Sequence, residues 1–232
     1  MLGSRKGGVS KSTTVLNLAV AFKSRGVDLM VVDADPQRSI ERWAESRNEA
    51  GRLPEVPVVC LSGNFTKSLM VQSQKSELIL VDAAGHDSVE LRAALVCADL
   101  AIFPFRPSDM DLETADYVRN LVDQAEIANP KLKSAALLSQ CPTNAKSKEV
   151  AQTRDVLMNK GFHVLDSGFC DRKIYRDSVG EGLSAIEMPN SPARNSAAQE
   201  VENLLIEIES LLVSSEKKKG EKNCGKSTEA CI

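Results

Sequence analysis

The chain has 232 residues, a formal net charge of −3 and 42% apolar residues. That composition suits one large α/β domain, and the acidic balance excludes a protein that is basic all over, so a nucleic-acid contact has to be a local patch. Six cysteines stand singly, without a CxxC pair and with His86 and His163 far from any cysteine cluster. This argues against a zinc site or a disulfide framework and fits reduced thiols in the cytoplasm. No apolar run reaches the roughly 18 to 20 residues that cross a bilayer, and no basic-then-apolar leader opens the chain. The expected location is therefore cytoplasmic, without stable membrane insertion.

In chain order, only Met1 and Leu2 precede Gly3 as material for a first strand. Losing a middle strand would bare two neighbouring edges, which places the expected start of that strand upstream of Met1. A helix is predicted over 11–25, a strand over 29–32, a helix over 39–49 and a strand over 56–61. Further strands are read at 78–81, 100–103 and 135–138, alternating with helices at 87–96, 112–128 and 146–160. Each strand is short and almost continuously apolar, as expected when helices cover both faces of a parallel sheet. The fold class is therefore α/β: a single doubly wound, mostly parallel sheet with helices on both faces and a truncated first strand.

A last helix is predicted over 197–213, where Val201, Leu204, Leu205, Ile208, Leu211 and Leu212 mark one face and Glu200, Glu202, Glu207 and Glu209 fill the other. A membrane-surface helix carries Lys and Arg on its polar face, so an acidic one is read as packed on the sheet. Residues 1–213 are expected to form the domain, and 214–232, rich in Lys, Glu, Gly and Ser, a disordered charged tail.

Three segments carry chemistry. Lys6-Gly7-Gly8-Val9-Ser10-Lys11-Ser12-Thr13-Thr14 opens the first helix. Glycines let backbone N–H groups turn around phosphate oxygens, and the helix N-terminus adds partial positive charge. A lysine before Ser or Thr then neutralises the β/γ-phosphates, with the hydroxyl on Mg²⁺. The strict pattern G-x-x-x-x-G-K-[ST] fails twice, at Arg5 and at Ser10. Val31-Val32-Asp33-Ala34-Asp35-Pro36-Gln37 follows, with carboxylates at a strand's C-terminal end, where open α/β sheets bind ligands. A helix-cap reading accounts for one acidic residue here more readily than for two. Leu78-Ile79-Leu80-Val81-Asp82 then ends an apolar strand in an aspartate, the Walker B arrangement for Mg²⁺.

Taken together these segments resemble the ParA/MinD family of P-loop ATPases, closest to its small ParA-type partition proteins. Lys6-Gly7-Gly8-x-x-Lys11-Ser12-Thr13 resembles the family's deviant Walker A, marked by the extra lysine before the glycine pair. Asp33-x-Asp35-Pro36-Gln37 resembles its Walker A′. Phe103-Pro104-Phe105-Arg106-Pro107-Ser108 is similar to a Pro-x-x-Pro-Ser segment after the fifth strand, and Arg172-Lys173-Ile174-Tyr175 to a segment near the C-terminus of small ParA proteins.

The likeness covers residues 3–213 and implies ATP and Mg²⁺ as ligands. The cradle would be Lys6, Gly7, Gly8, Val9, Ser10, Lys11, Ser12 and Thr13. Lys11 would bind the β/γ-phosphates, Ser12 would ligate Mg²⁺ and Thr13 would reach the α-phosphate. Lys6 would cross to the partner's nucleotide in an ATP-dependent homodimer. Asp33 would orient the attacking water at the metal, Asp82 would support Mg²⁺, and Pro107 and the loop at Cys141-Pro142 would lie by the adenine. Lys6, Lys11 and Asp33 are thus the expected catalytic residues of a slow, partner-stimulated ATP hydrolase. A β-carbon at Ser10 costs about 1 kcal/mol if the position is left-handed, so binding is expected to survive, and the resemblance implies a low hydrolysis rate, as is usual in the family.

The family's scheme implies a dimer that binds nucleoid DNA without sequence preference, is released by a ParB-like or other activator, and positions or segregates a plasmid, chromosome or protein assembly. Lys146, Lys148, Arg154, Arg172, Lys173 and Arg176 are the candidate phosphate contacts. The alternatives are a MinD-like membrane-associated ATPase, a nucleotide-switched scaffold that hardly hydrolyses, and a metabolic P-loop ligase.

Overall fold

The computed structural model describes residues 1–85, 87–108, 113–144 and 147–223, with side chains described as far as Val213. Its strands are β1 (Leu2–Ser4), β2 (Leu29–Ala34), β3 (Val58–Cys60), β4 (Leu78–Gly85), β5 (Leu100–Phe105), β6 (Lys133–Cys141) and β7 (His163–Cys170). Among the described residues the helices are α1 (Lys11–Ser24), α2 (Ser39–Glu49), α3 (Thr66–Gln72), α4 (Val89–Cys97), α5 (Ala115–Ala128), α6 (Lys148–Asn159), α7 (Lys173–Gly180) and α8 (Pro192–Asn223). The strands form one sheet in the order β3-β2-β4-β1-β5-β6-β7, and every pairing is parallel.

Successive residues of the central strands feed opposite faces, as the two-residue period of a strand requires. Val31, Leu80 and Ile102 join one buried cluster with α1, α2, α7 and α8. Val32, Val81 and Phe103 join the other with α3, α4, α5 and α6. The doubly wound sheet expected from the β-α alternation is therefore the fold observed. Its first strand is short, yet it sits in the middle: Leu2 is in register with Asp82 of β4 and with Ile102 of β5. Leu2 is 1% exposed there, and the amide of Ile102 donates to the carbonyl of Met1 at 2.9 Å.

Three elements escaped the sequence reading. The strand β7 is an edge strand in which buried Val164-Leu165 and Phe169 are separated by the accessible Asp166, Ser167 and Gly168, so it lacks a continuous apolar run. The helices α3 and α7 are short, with one and three buried residues. The predicted helix starts at Leu112 and Lys146 lie outside the described residues.

The acidic row of α8 makes contacts of its own. Glu202 and Glu209 pair with Arg25 at the end of α1. Glu207 accepts from the amides of Asp166 and Ser167 at 2.8 and 2.9 Å. Glu200 accepts from Arg172 and from the Tyr175 hydroxyl, each at 2.8 Å. These carboxylates dock the helix while Val201, Leu204, Leu205 and Ile208 fill the core. The helical backbone continues past Val213 to Asn223, and residues 224–232 lie outside the described residues.

Candidate functional site

The strand order reverses at β1, with β2 and β3 beyond β4 on one side and β5, β6 and β7 on the other. Ligands of open α/β sheets bind in the crevice at the carboxyl ends beside such a point. The loop from Arg5 to Ser10 leaves β1 there and enters α1, whose first residue, Lys11, is only 6% exposed. Lys6 stands on this loop against the end of β4, with its backbone 3.8 Å from where a β-carbon on Gly85 would lie.

The loop is held by donors from other elements. Gly8 has φ +76, the left-handed region that favours glycine, and a β-carbon there would displace the tip of the Arg106 side chain, 2.8 Å away. Ser10 adopts φ 66 and ψ 21, a left-handed residue capping α1 without a side-chain cap. The torsion expected for a glycine is thus retained, and the β-carbon carries its steric cost.

On the far side of the crevice Asp33 and Asp82 are register partners on β2 and β4. The Ser12 hydroxyl donates to Asp82 Oδ2 at 2.5 Å. Asp82 is fully buried, and burial pushes its carboxyl up to about 7, against the lowering influence of Ser12 and Lys11; the nearby Asp33 and Asp35 push the same way as burial. Its second oxygen, Oδ1, is buried with no hydrogen-bond partner. A buried carboxylate oxygen left bare beside a serine hydroxyl and a lysine calls for a cation. Among the described residues no three His, Cys, Asp or Glu side chains gather as a ready metal site. That suits Mg²⁺, which takes one or two protein ligands and completes its shell with water and phosphate oxygens.

Asp33 is engaged differently. Its Oδ1 accepts from the amide of Asp35 at 3.1 Å, and its Oδ2 from the amides of Ile40 and Glu41 at 2.9 and 3.0 Å. Those two amides belong to the first turn of α2, whose own cap residue, Arg38, offers no side-chain cap. Asp33 therefore caps α2 from seven residues upstream, so the helix-cap reading holds for this one aspartate. Burial raises its carboxyl pKa, and these three amides lower it in part. Lys11 pairs with Asp35 at 3.8 Å, so its ammonium faces the same crevice.

Thr13 is half-buried in the first turn of α1, where its carbonyl accepts from Asn17 at 2.8 Å. Val9 is buried, and Pro107 is buried just after β5. Cys141, at the end of β6, is a buried thiol that burial pushes up to about 12. It packs at the end of the strand.

The chain belongs to the CobQ/CobB/MinD/ParA nucleotide-binding family. The family model, described as the CobQ/CobB/MinD/ParA nucleotide binding domain, matches residues 1–214. Similar curated proteins include Maintenance of carboxysome distribution protein A of Halothiobacillus neapolitanus, 28% identical over 208 residues, which cover 88% of this chain and 92% of that protein. Protein ParA of Rhizobium radiobacter is 27% identical over 206 residues, covering 86% and 90%. Among solved structures, the ATP complex of a Cyanothece McdA variant superposes with a TM-score of 0.69 at 13% identity, covering 88% of this chain and 94% of that one. Within the family this chain is a ParA/MinD-type ATPase, similar to the ParA and McdA proteins.

The six candidate DNA contacts do not form one free cluster. Arg154 donates to the carbonyls of Val164 and Leu165 and is 28% exposed. Arg172 is held by Glu200. Lys173 and Arg176 stand on α7 at 82% and 67% exposure, facing Asp177 and Asp171. Lys148 is exposed at the start of α6, and Lys146 lies outside the described residues. Among the described residues no helix is long and apolar enough to cross a membrane.

Proposed function

We propose that this protein is a nucleotide-switched ParA-type ATPase that dimerises on ATP-Mg²⁺, binds DNA without sequence preference and positions or segregates a cargo. One observation carries the reading: Lys11, Ser12 and the bare buried oxygen of Asp82 converge at the topological switch point, beneath a glycine loop at a helix N-terminus. Lys11 would neutralise the β/γ-phosphates. Ser12 and Asp82 would hold Mg²⁺, which supplies charge neutralisation at the transferred phosphoryl group. Gly7, Gly8, Val9, Ser10 and Thr13 would complete the cradle, with Pro107 beside the base.

Lys6 would deliver a second positive charge across a homodimer, so that hydrolysis waits on assembly. Asp33, turned towards α2 by two amides, would orient water with the lone pairs that remain. In the resting protein Asp35 holds Lys11, and a nucleotide would exchange that ion pair for its phosphates. Residues 1–213 would form the ATPase domain and 214–232 a charged tail.

DNA contacts would rest on Lys148, Lys173 and Arg176, because Arg154 and Arg172 are already bound within the fold. Each of these exposed groups is weak alone; a dimer doubles them, and binding then falls steeply with salt. A ParB-like or other activator would stimulate hydrolysis, and the protein would be cytoplasmic and nucleoid-associated when ATP-bound. The left-handed Ser10 favours a second reading, a switch that dimerises but hardly hydrolyses. Phosphate release with and without DNA, run beside light scattering in ATP, separates the two. Stimulation by DNA supports the ParA reading, silence with an ATP-dependent dimer supports the scaffold, and a monomer under all conditions contradicts both.

A further inference from the structure

We propose that Gln140 is a positioning residue that stands in for the glycine missing at position 10, holding the phosphate loop in its binding form. Its side-chain amide donates to the Gly8 carbonyl at 2.7 Å and to the Ser10 hydroxyl at 2.8 Å. Both partners belong to the loop, and Gln140 lies 130 residues away in sequence from Ser10.

The backbone gives the contact its meaning. Three non-glycine residues have positive φ among the described residues: Ser10, Arg38 and Gln140. Two of these three are bonded to each other. Gln140 occupies φ 52 within an irregular stretch of the β6–β7 pairing, between Leu138 and Cys141. An uncommon torsion of this kind persists only where the surroundings hold it, and here it accompanies a side chain directed onto the loop.

Neighbouring donors complete the brace. Ser139 donates to the Val9 carbonyl at 3.1 Å, Arg106 to the Gly8 carbonyl, and Thr14 to the Ser10 carbonyl through its amide and hydroxyl at 2.9 and 2.8 Å. In a trans peptide the N–H of the next residue points opposite to the carbonyl. Fixing the carbonyls of Gly8, Val9 and Ser10 therefore aims the amides of Val9, Ser10 and Lys11 away from these donors, free to meet an anion. Of the donors in this brace, the Gln140 amide is the one that reaches the Ser10 side chain, so the substitution at position 10 and the amide at position 140 form one unit.

The inference rests on the reading of this loop as a nucleotide site, and the experiment keeps the two apart. Affinity for a fluorescent ATP analogue with Mg²⁺ is measured on the full chain for wild type, Gln140→Ala, Gln140→Gly, Ser10→Gly, the Ser10→Gly/Gln140→Ala double variant and Lys11→Ala. Gln140→Ala is expected to weaken binding about tenfold, and about threefold or less when Ser10→Gly is already present. Gln140→Gly, whose backbone adopts positive φ freely, is expected to lose binding as Gln140→Ala does.

Unchanged affinity in Gln140→Ala, the same loss with and without Ser10→Gly, or retained binding in Gln140→Gly would each overturn the brace. Equal affinity in wild type and Lys11→Ala would instead overturn the nucleotide reading. The brace is then still read by urea unfolding of the nucleotide-free proteins, where Gln140→Ala should cost more with serine at position 10 than in the Ser10→Gly background, and equal costs would refute it.

Discussion

At the scale of single residues, two aspartates that sit side by side on adjacent strands have been given different work by their surroundings. Asp82 takes one hydroxyl and leaves its other oxygen bare in the interior; Asp33 takes three amides. Desolvation alone would penalise both charges, and amide donors relieve Asp33 where a cation would relieve Asp82. The Asp33→Ala protein should therefore show two effects. Losing the cap of α2 costs about 1–2 kcal/mol in urea unfolding, and an ATP dimer accumulates because water is no longer oriented. Normal turnover in a protein that has merely lost stability would leave Asp33 as a cap alone. The sequence spacing placed both aspartates at strand ends, but it could not show that Asp33 reaches forward to Ile40 and Glu41, since that contact depends on how α2 packs.

At the scale of elements, α2 is tied to the far end of the chain through Arg47, which is completely buried. Its guanidinium donates to Glu187 through two nitrogens at 2.7 and 2.8 Å, to the Gly182 carbonyl at 3.1 Å and to the Pro54 carbonyl at 3.0 Å. Trp43, one turn earlier, donates to the Leu183 carbonyl at 3.1 Å. Removing one partner of a buried pair strands the other charge, so Arg47→Ala is expected to destabilise the fold by about 3–5 kcal/mol. Thermal unfolding with the fold's Tm unchanged would show the pair to be dispensable.

None of this network was visible from the pattern, because an arginine in an amphipathic helix reads as surface. What was visible were the apolar runs of β2, β4, β5 and the middle of β6, whose burial on both faces leaves no polar alternation to confuse them. The edge strand β7 and the short helices α3 and α7 were not, because few of their side chains reach the core and tertiary contact decides their form.

For the whole molecule, the sheet brings together loops that are far apart in sequence, and the switch point at β1 is where they meet. The order of the three motifs was legible, since the glycine loop follows β1 and the aspartates close the apolar runs of β2 and β4, although β4 continues past Asp82 to Gly85. The brace from β5 and β6 was not, because Ser139 and Gln140 belong to no motif, Arg106 stands in a segment read for its prolines, and all three meet the loop only when β5 and β6 close up beside β1. The packing of α8 on the sheet was legible, but its partners on the acidic side, Arg25, Arg172 and two amides of β7, were not.

The central claim, that this crevice is an ATP-Mg²⁺ site on which the protein's behaviour turns, is tested most directly by calorimetric titration of ATP-Mg²⁺ into wild type and Lys11→Ala. Wild type should bind and Lys11→Ala should lose binding by about a hundredfold or more, as expected for removing a buried charge-assisted contact. Equal affinity in the two proteins would contradict the account.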